Sequence, residues 1–432
     1  MKAMRVRRAA PRSVVLLVLI SGSLFRCGAE AEGTVGSGEE EIIGGFPANG
    51  ATLNAIGAIG YAWVDSYYEA TWFEPYCSGT LIGKRTVLTA KHCLDSFEWD
   101  YAAGYKTYFA VGADAFAPEA LYEVVAVEGA PGDQGGAIGY GHDVGVMHLA
   151  EAPAIEPLAF EPITEADVGK DYVAVGYGVQ NNNYTFGTRR AGKVEVRATS
   201  GSIYASVFGS FEAFEEWYST GEVPSFPGGA LGCLPPIARS LEEVTTARGR
   251  RGVAGIGAGG AAGAAGGGGE GGAIEEPGPG GSGGGTWDDD EWLRDIYENT
   301  VLDAGYEVLV GGTEGDAQVC YGDSGGPLLS TKKNGKLVVR GVASATLSSN
   351  RLVCDLAGVH ATFGPGVLEF LKEARRWKDP CKGISIEGQC KGSVARRCTA
   401  PDEGPRRLVE LDCSLLGQVC APQPDGTVGC SD

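Results

Sequence analysis

The stretch 320–329, Cys-Tyr-Gly-Asp-Ser-Gly-Gly-Pro-Leu-Leu, constrains the fold more than any other part of the chain. Three glycines flank Ser324 and allow a tight turn, in which no neighbouring Cβ shields the serine hydroxyl from a substrate. Such a hydroxyl is inert at neutral pH unless an imidazole takes its proton and a carboxylate orients that imidazole. The stretch alone also fits a surface turn. If Ser324 is a nucleophile, the fold must bring a histidine and an acid to this turn.

Two upstream segments supply those groups. His92 lies in Leu-Thr-Ala-Lys-His-Cys (88–93), and Asp143 leads into alternating apolar residues over 143–149. The chain order His, Asp, Ser is one of several that build the same triad. We therefore expect His92 to act as the base and Asp143 to orient it, whereas the alternative for His92 is an ordinary turn or core histidine.

These motifs resemble those of the chymotrypsin/trypsin family of serine proteases, where Thr-Ala-x-His-Cys, an Asp-led apolar segment and Gly-Asp-Ser-Gly-Gly-Pro follow one another. Ile42-Ile43-Gly44-Gly45 resembles the family's mature N-terminus. From residue 42 to about residue 196, short alternating strands with Gly-rich turns favour a barrel or a sandwich. The resemblance implies an all-β fold of two six-stranded antiparallel barrels with the site between them.

The resemblance also implies roles for residues beside the nucleophile. The backbone N–H groups of Gly322 and Ser324 would form the oxyanion hole. Cleavage before Ile42 would free an α-amino group that pairs with Asp323 and so activates the enzyme. The preceding residue is Glu41 rather than the family's usual Lys or Arg. Either a glutamate-preferring protease, this one included, or signal processing and trimming would release Ile42.

Substrate preference depends on the pocket next to the nucleophile. Alignment on Cys320 places Gln318 where trypsin-like enzymes carry an aspartate at the floor of the pocket. The pocket therefore lacks a carboxylate that could pair with a Lys or Arg side chain of the substrate. Ser344 and Thr346 should pair with the substrate backbone on an edge strand, and Thr346 should narrow the pocket, because the family often has glycine there. We expect small or uncharged polar side chains before the scissile bond. His360, if protonated, would favour glutamate; the alternative is a barrel histidine without substrate contact.

Twelve cysteines favour a secreted, oxidised protein. The resemblance implies one disulfide between Cys77 and Cys93, bracketing the His92 loop, and another between Cys320 and Cys354 at the specificity pocket. Six further cysteines, from residue 381 to residue 430, allow fifteen connectivities, among which the sequence does not choose.

Two cysteines remain. If signal cleavage removes Cys27, or a lipid modifies it, then Cys233 has no partner and is either a buried free thiol or part of an intermolecular disulfide. Otherwise a disulfide between Cys27 and Cys233 could tether the propeptide. Arginines precede an apolar run at 14–20 that is too short to span a bilayer, which predicts a signal peptide over 1–31. Cleavage after Ala29-Glu30-Ala31 would give a secreted extracellular or periplasmic protein, and lipidation of Cys27 would give a lipoprotein.

The remaining chain divides into an acidic propeptide (32–41), a protease domain (42–377) and a cysteine-rich module (378–432). A Gly-rich insertion at 248–286 cannot bury enough apolar area to offset its chain entropy, so we expect a disordered loop there. The module resembles small cysteine-rich units appended to secreted bacterial hydrolases, notably in myxobacteria. It contains no histidine, and we expect no metal and no cofactor anywhere in the protein.

A net charge of −20 disfavours nucleic-acid binding, because no basic surface releases phosphate counterions. We expect protein or peptide substrates, and the module suggests a surface ligand as a second partner. The predicted function is a secreted serine endopeptidase that is not specific for Arg or Lys. The alternative is a latent or non-catalytic protease-fold protein that binds or regulates through its cysteine-rich module. His142 and His148 are expected to be solvated strand residues rather than ligands.

Overall fold

Strands dominate the part of the chain that the structure describes. The computed structural model describes residues 45–48, 50, 53–65, 70–132, 142–180, 184–220, 256–257, 289–312, 316–347, 354 and 356–431. Several predictions fall outside these ranges and stay predictions: the signal peptide, the propeptide, Cys27, Ile42, Cys233 and all of the Gly-rich insertion except residues 256–257.

The first barrel contains six antiparallel strands and is closed. Its neighbours follow the order β2-β3-β4-β7-β6-β5, and β5 pairs back onto β2. Apolar side chains fill it, and Ile59, Leu81, Phe109 and Met147 are completely buried. The strands are β2 (Ile56–Asp65), β3 (Ala70–Leu81), β4 (Thr86–Thr89), β5 (Lys106–Val111), β6 (Ala120–Gly129) and β7 (Gly145–Leu149).

The second barrel is another ring of six antiparallel strands. Its order is β9-β10-β14-β17-β16-β15, and pairing between β15 and β9 completes the ring. The strands are β9 (Asp171–Gly176), β10 (Arg190–Ala198), β14 (Glu307–Val310), β15 (Pro327–Thr331), β16 (Leu337–Leu347) and β17 (Ala357–Thr362). The predicted all-β fold with two six-stranded barrels is therefore confirmed.

Short strands and helices complete the described structure. The short strands are β1 (Phe46–Pro47), β8 (Ala159–Phe160), β11 (Gly201–Ser202), β12 (Ile256–Gly257), β13 (Val301–Leu302), β18 (Gln389–Lys391), β19 (Val394–Cys398), β20 (Leu408–Asp412), β21 (Val419–Pro422) and β22 (Val428–Ser431). The α-helices are α1 (Asp95–Ala102), α2 (Ile203–Phe208), α3 (Phe211–Thr220), α4 (Asp289–Asn299) and α5 (Pro365–Ala374). Single 3₁₀ turns lie at Lys91–Leu94, Glu165–Asp167, Pro401–Glu403 and Cys413–Leu416. Among the described residues, no helix has the length and apolar character needed to cross a membrane.

Helices α2, α3 and α4 form an aromatic cluster on the second barrel. Phe211, Phe214 and Trp217 recur at helical spacing and are buried on one face of α3, as core residues rather than exposed ligand-binding rings. Ala345 and Leu347 of β16 belong to the same cluster. The helices therefore support, from behind, the strand that was predicted to meet the substrate.

The prediction of a solvated residue is wrong for His148. This residue lies on β7 and is fully buried. Its ring stacks on that of Trp377, which follows α5, with a centroid distance of 4.4 Å. Strand alternation alone gave no sign that the end of the closing helix would cover this position.

The cysteine-rich module is held by three disulfides. They join Cys381 to Cys398, Cys390 to Cys420 and Cys413 to Cys430. Because little of the module's apolar surface is buried, these bonds must contribute much of its stability.

One arginine of the module contacts both the module's own first residues and the first barrel. Arg406 of the module pairs with Asp379 at 3.0 Å, and both side chains are nearly buried. The same guanidinium donates to the carbonyl of Val125 on β6 at 3.4 Å. The module therefore packs against the first barrel.

Candidate active site

A disulfide holds the loop that carries His92. The loop is the 3₁₀ turn Lys91–Leu94, directly after β4, and the bond between Cys77 and Cys93 ties it to β3. A ring nitrogen of His92 lies within 4.8 Å of both sulfurs. The covalent link therefore fixes the position of the imidazole relative to the first barrel.

Asp143 receives three hydrogen bonds, two of them from His92. Its Oδ1 accepts the backbone N–H of His92 at 3.0 Å, and its Oδ2 lies 2.8 Å from the His92 Nδ1. The hydroxyl of Ser344 donates to the same Oδ2 at 2.6 Å. Asp143 thus holds the imidazole with Nε2 directed away from the carboxylate.

The pair alters the titration of both members. Burial alone would lower the pKa of His92, but the hydrogen bond and charge of Asp143, assisted by the charge of Asp95, outweigh it and raise the pKa. Burial likewise tends to raise the pKa of Asp143, yet its bonds from His92 and Ser344 lower it overall. Asp143 is therefore ionised at neutral pH and stabilises a cationic imidazole.

The Ser324 turn packs tightly against the first barrel. The Ser324 carbonyl accepts the Ser78 N–H at 2.8 Å, and the Ser78 hydroxyl donates to the Gly322 carbonyl at 2.9 Å. Gly325 has φ +79°, and a Cβ there would lie 2.0 Å from the hydroxyl oxygen of Thr89. Only glycine permits this approach, which brings the Ser324 turn up against β3 and β4, the two strands before the His92 loop.

Several polar groups of the catalytic candidates have no hydrogen-bond partner among the described residues. Within the described part of the chain, the N–H groups of Gly322 and Ser324 donate to no protein acceptor. The Nε2 of His92 is buried and also has no hydrogen-bond partner there. Catalytic hydrogen bonds often tighten only when substrate binds, so these geometries suit a site awaiting one.

The side chain of Asp323, next to the nucleophile in sequence, is almost fully buried. Its carboxylate accepts the backbone N–H groups of Gly178 at 2.8 Å and Cys320 at 2.9 Å. Burial raises its pKa to about 7 despite those two bonds. A Cβ on Gly176 would lie 2.0 Å from the carboxylate, so glycine is required on this wall. Ile42, its predicted partner, lies outside the described residues.

A small cavity adjoins the nucleophile. Its volume is about 20 Å³, room for roughly one water molecule. Cys320 is bonded to Cys354 beside it. The lining residues are Val319, Cys320, Tyr321, Ser324, Ala343, Ser344, Ala345 and Thr346.

Two residues predicted for this pocket do not line it. Gln318 is buried, and its Oε1 accepts no hydrogen bond from the described residues. His360 on β17 is completely buried, and burial lowers its pKa to about 3. A neutral imidazole without access to the cavity favours the alternative interpretation, a barrel histidine without substrate contact.

Comparison with known proteins agrees with this architecture. Residues 55–208, about a third of the chain, match the family model described as trypsin. The matched part contains all of the first barrel and strands β9 and β10 of the second, and it is similar to the trypsin family of serine proteases.

Individual relatives are distant. None of the curated proteins matches this chain. Among 867 similar chains of solved structures is neuropsin, a serine protease expressed in the limbic system of mouse brain. It is 15% identical, with 76% of this chain and 98% of that chain covered, at a TM-score of 0.39.

Proposed function

We propose that the protein is a serine endopeptidase that hydrolyses peptide bonds through His92, Asp143 and Ser324. The observation that carries this proposal is the set of hydrogen bonds to Asp143. Its Oδ1 accepts one from the backbone of His92, and its Oδ2 accepts one from the His92 ring and one from the Ser344 hydroxyl. The Nε2 of the same imidazole has no hydrogen-bond partner among the described residues, so it can accept a proton.

The proposed reaction has two stages. Ser324 attacks the scissile carbonyl while the Nε2 of His92 takes the hydroxyl proton, and that proton then passes to the leaving amine. Water, activated by the same nitrogen, releases the acyl group from Ser324. Asp143 holds the tautomer that carries a proton on Nδ1, and the N–H groups of Gly322 and Ser324 stabilise the oxyanion in both stages.

Activation by a new N-terminus is the second part of the proposal. Asp323 is buried with two neutral donors, and its pKa of about 7 reflects a charge that lacks a counterion among the described residues. An α-ammonium group released at Ile42 would supply that counterion. A buried charge gains most from a partner of opposite sign, so cleavage before Ile42 would stabilise the turn that carries Ser324.

Substrate preference follows from the small cavity. We propose that small or uncharged polar side chains precede the scissile bond. The cavity lining contains no charged side chain, and Thr346 is one of its walls. A long Lys or Arg side chain would find neither space nor a counterion there.

We further propose that the protein is secreted after removal of residues 1–31. Five disulfides in the described residues suit an oxidising compartment. The latent, non-catalytic alternative is not favoured, because the family match includes the segments of His92 and Asp143.

Hydrolysis of a peptide library by the secreted protein tests the proposal. Wild-type protein should cleave peptides after small residues, whereas Ser324→Ala should abolish cleavage. The matched control is Ser330→Ala on β15, which should retain activity. No cleavage by wild-type protein with an Ile42 N-terminus, or a profile dominated by Arg and Lys, would contradict the proposal.

A further inference from the structure

Two basic residues immediately precede the proposed catalytic base and carboxylate. Lys91 comes before His92, and His142 comes before Asp143. Both side chains form hydrogen bonds to one short segment, residues 130–132, which follows β6. Two residues that are far apart in sequence therefore meet on the same piece of backbone.

Lys91 binds the two ends of this segment. Its Nζ donates to the carbonyl of Ala130 at 3.0 Å and to the carbonyl of Gly132 at 3.1 Å. The backbone N–H of Ala130 donates in turn to the carbonyl of Val144 at 2.8 Å. The segment thus connects the loop of the proposed base to the residue that follows the proposed carboxylate.

His142 binds the middle of the segment. Its Nδ1 lies 2.7 Å from the carbonyl oxygen of Pro131, and because a carbonyl can only accept, this nitrogen donates. Gly132 has φ +118°, and a Cβ there would lie 2.3 Å from the same Nδ1. Only glycine therefore allows the segment to come this close to the ring.

The His142 ring also contacts the chain that leads into the second barrel. It stacks on Tyr306, directly before β14, with a centroid distance of 4.0 Å. Its Nε2 lies 3.9 Å from the Oδ2 of Asp303. The backbone of His142 has φ +55°, which few residues other than glycine adopt and which is kept only where the surroundings impose it. These contacts therefore fix an unusual backbone conformation directly before Asp143.

We propose that Lys91 and His142 are positioning residues, which act through residues 130–132 to hold His92 and Asp143 in hydrogen-bonding geometry. This inference rests on the proposed protease function. Misplacement of a catalytic group by about 1 Å can lower a rate about a hundredfold. Loss of either residue should therefore lower kcat and leave KM nearly unchanged, because the catalytic pair is needed in the transition state rather than for substrate binding.

The variants Lys91→Met and His142→Asn test the proposal in activated protein, on a peptide with alanine before the scissile bond. Methionine keeps a long side chain without an N–H donor, and asparagine tolerates the left-handed backbone without a ring to stack. Each variant should lower kcat about tenfold to a hundredfold and change KM by less than about twofold. Lys91→Arg keeps a charged donor and should lose less.

Two variants away from the segment are the matched controls. Lys84→Met changes an exposed lysine in the turn before β4. Lys382→Asn changes another residue with positive φ, +53°, in the cysteine-rich module. Both should keep the wild-type kcat and KM. If Lys91→Met and His142→Asn also keep kcat, or raise KM without lowering kcat, the inference is overturned.

A double variant tests whether the two residues act through the same segment. Substitutions with a shared partner are not additive. Lys91→Met combined with His142→Asn should therefore have a kcat close to that of the more impaired single variant. A loss equal to the product of the two single losses would overturn the shared role of residues 130–132.

A measurement that needs no activity separates this inference from the function itself. In Ser324→Ala protein, the Nδ1 proton of His92, which is hydrogen-bonded to Asp143, is observed by NMR as a signal far downfield. Lys91→Met and His142→Asn should each broaden this signal or shift it upfield, and the two control variants should not.

An unchanged signal in either test variant would overturn the positioning role of that residue, whether or not the protein is active. If protein with an intact Ser324 and an Ile42 N-terminus does not react with a fluorophosphonate, the proposed protease function fails. The NMR signal still decides whether Lys91 and His142 position the pair.

Discussion

Replacement of Asp323 by asparagine should change the pH dependence of folding in the uncleaved protein. The folded-state pKa of about 7 lies above the ordinary aspartate value near 3.9. The folded state therefore binds more protons than the unfolded state between these values, and stability falls as pH rises through this window. A difference of about 3 units corresponds to about 4 kcal/mol, lost in full above pH 7.

Asparagine removes this titration but adds a constant cost. One oxygen of Asp323 is replaced by an NH₂ group that faces a backbone N–H, from either Gly178 or Cys320. An unsatisfied buried donor costs about 1–3 kcal/mol. Asp323→Asn should therefore be less stable than the parent at pH 4 and more stable at pH 8, with the two curves crossing between.

Urea unfolding of Ser324→Ala protein that begins upstream of Ile42 measures this effect without self-digestion. The free energy of unfolding should fall more steeply between pH 5 and pH 7 with Asp323 than with asparagine, by up to about 1.4 kcal/mol per pH unit. Asp171→Asn, at an exposed ion pair, serves as the control and should leave the slope unchanged. If the free energy of unfolding depends on pH in the same way with Asp323 and with asparagine, the conclusion that burial raises the pKa of Asp323 is refuted.

Three further predictions follow from the site and the module. Since catalysis needs neutral His92 and Asp143 raises its pKa, the acid limb of the kcat/KM profile should lie above the ordinary histidine value near 6.5; a limb below that value would contradict the pairing. Thr346→Gly should widen the cavity and raise kcat/KM about tenfold for peptides with a large apolar residue before the scissile bond, and unchanged selectivity would contradict the role of Thr346. Arg406→Ala leaves buried Asp379 unpaired and should destabilise the module by about 3 kcal/mol, read as earlier proteolysis after residue 377; Arg376→Ala, on an exposed position, should not.

The barrels and the three catalytic candidates could be predicted because each depends on a short motif. The glycines around Ser324 predict a tight turn, and Cys93 next to His92 predicts a loop that a disulfide holds in place. The bond from Ser344 to Asp143 could not be predicted in this way. The two residues are 201 positions apart, and the bond depends on an irregularity in the pairing of β16 with β17 between Ala343 and Ala345.

Other features depend on contacts that no local pattern records. No local motif marks Gly176 or Gly178, yet both lie against the Asp323 carboxylate. The disulfides of the module need its three-dimensional arrangement, since six cysteines are compatible with fifteen sets of pairs. β12 was expected to be part of a disordered loop because composition was the only available signal, and composition does not reveal that β16 has an open edge.

The most direct test of the central claim combines N-terminal sequencing and intact mass of the secreted protein with a fluorophosphonate probe, which labels only an activated serine. The account predicts an N-terminus at Ile42 and a label on Ser324 that is lost in Ser324→Ala. Protein that begins at Ile42, is folded and takes no label would contradict the claim that His92, Asp143 and Ser324 form a working catalytic site.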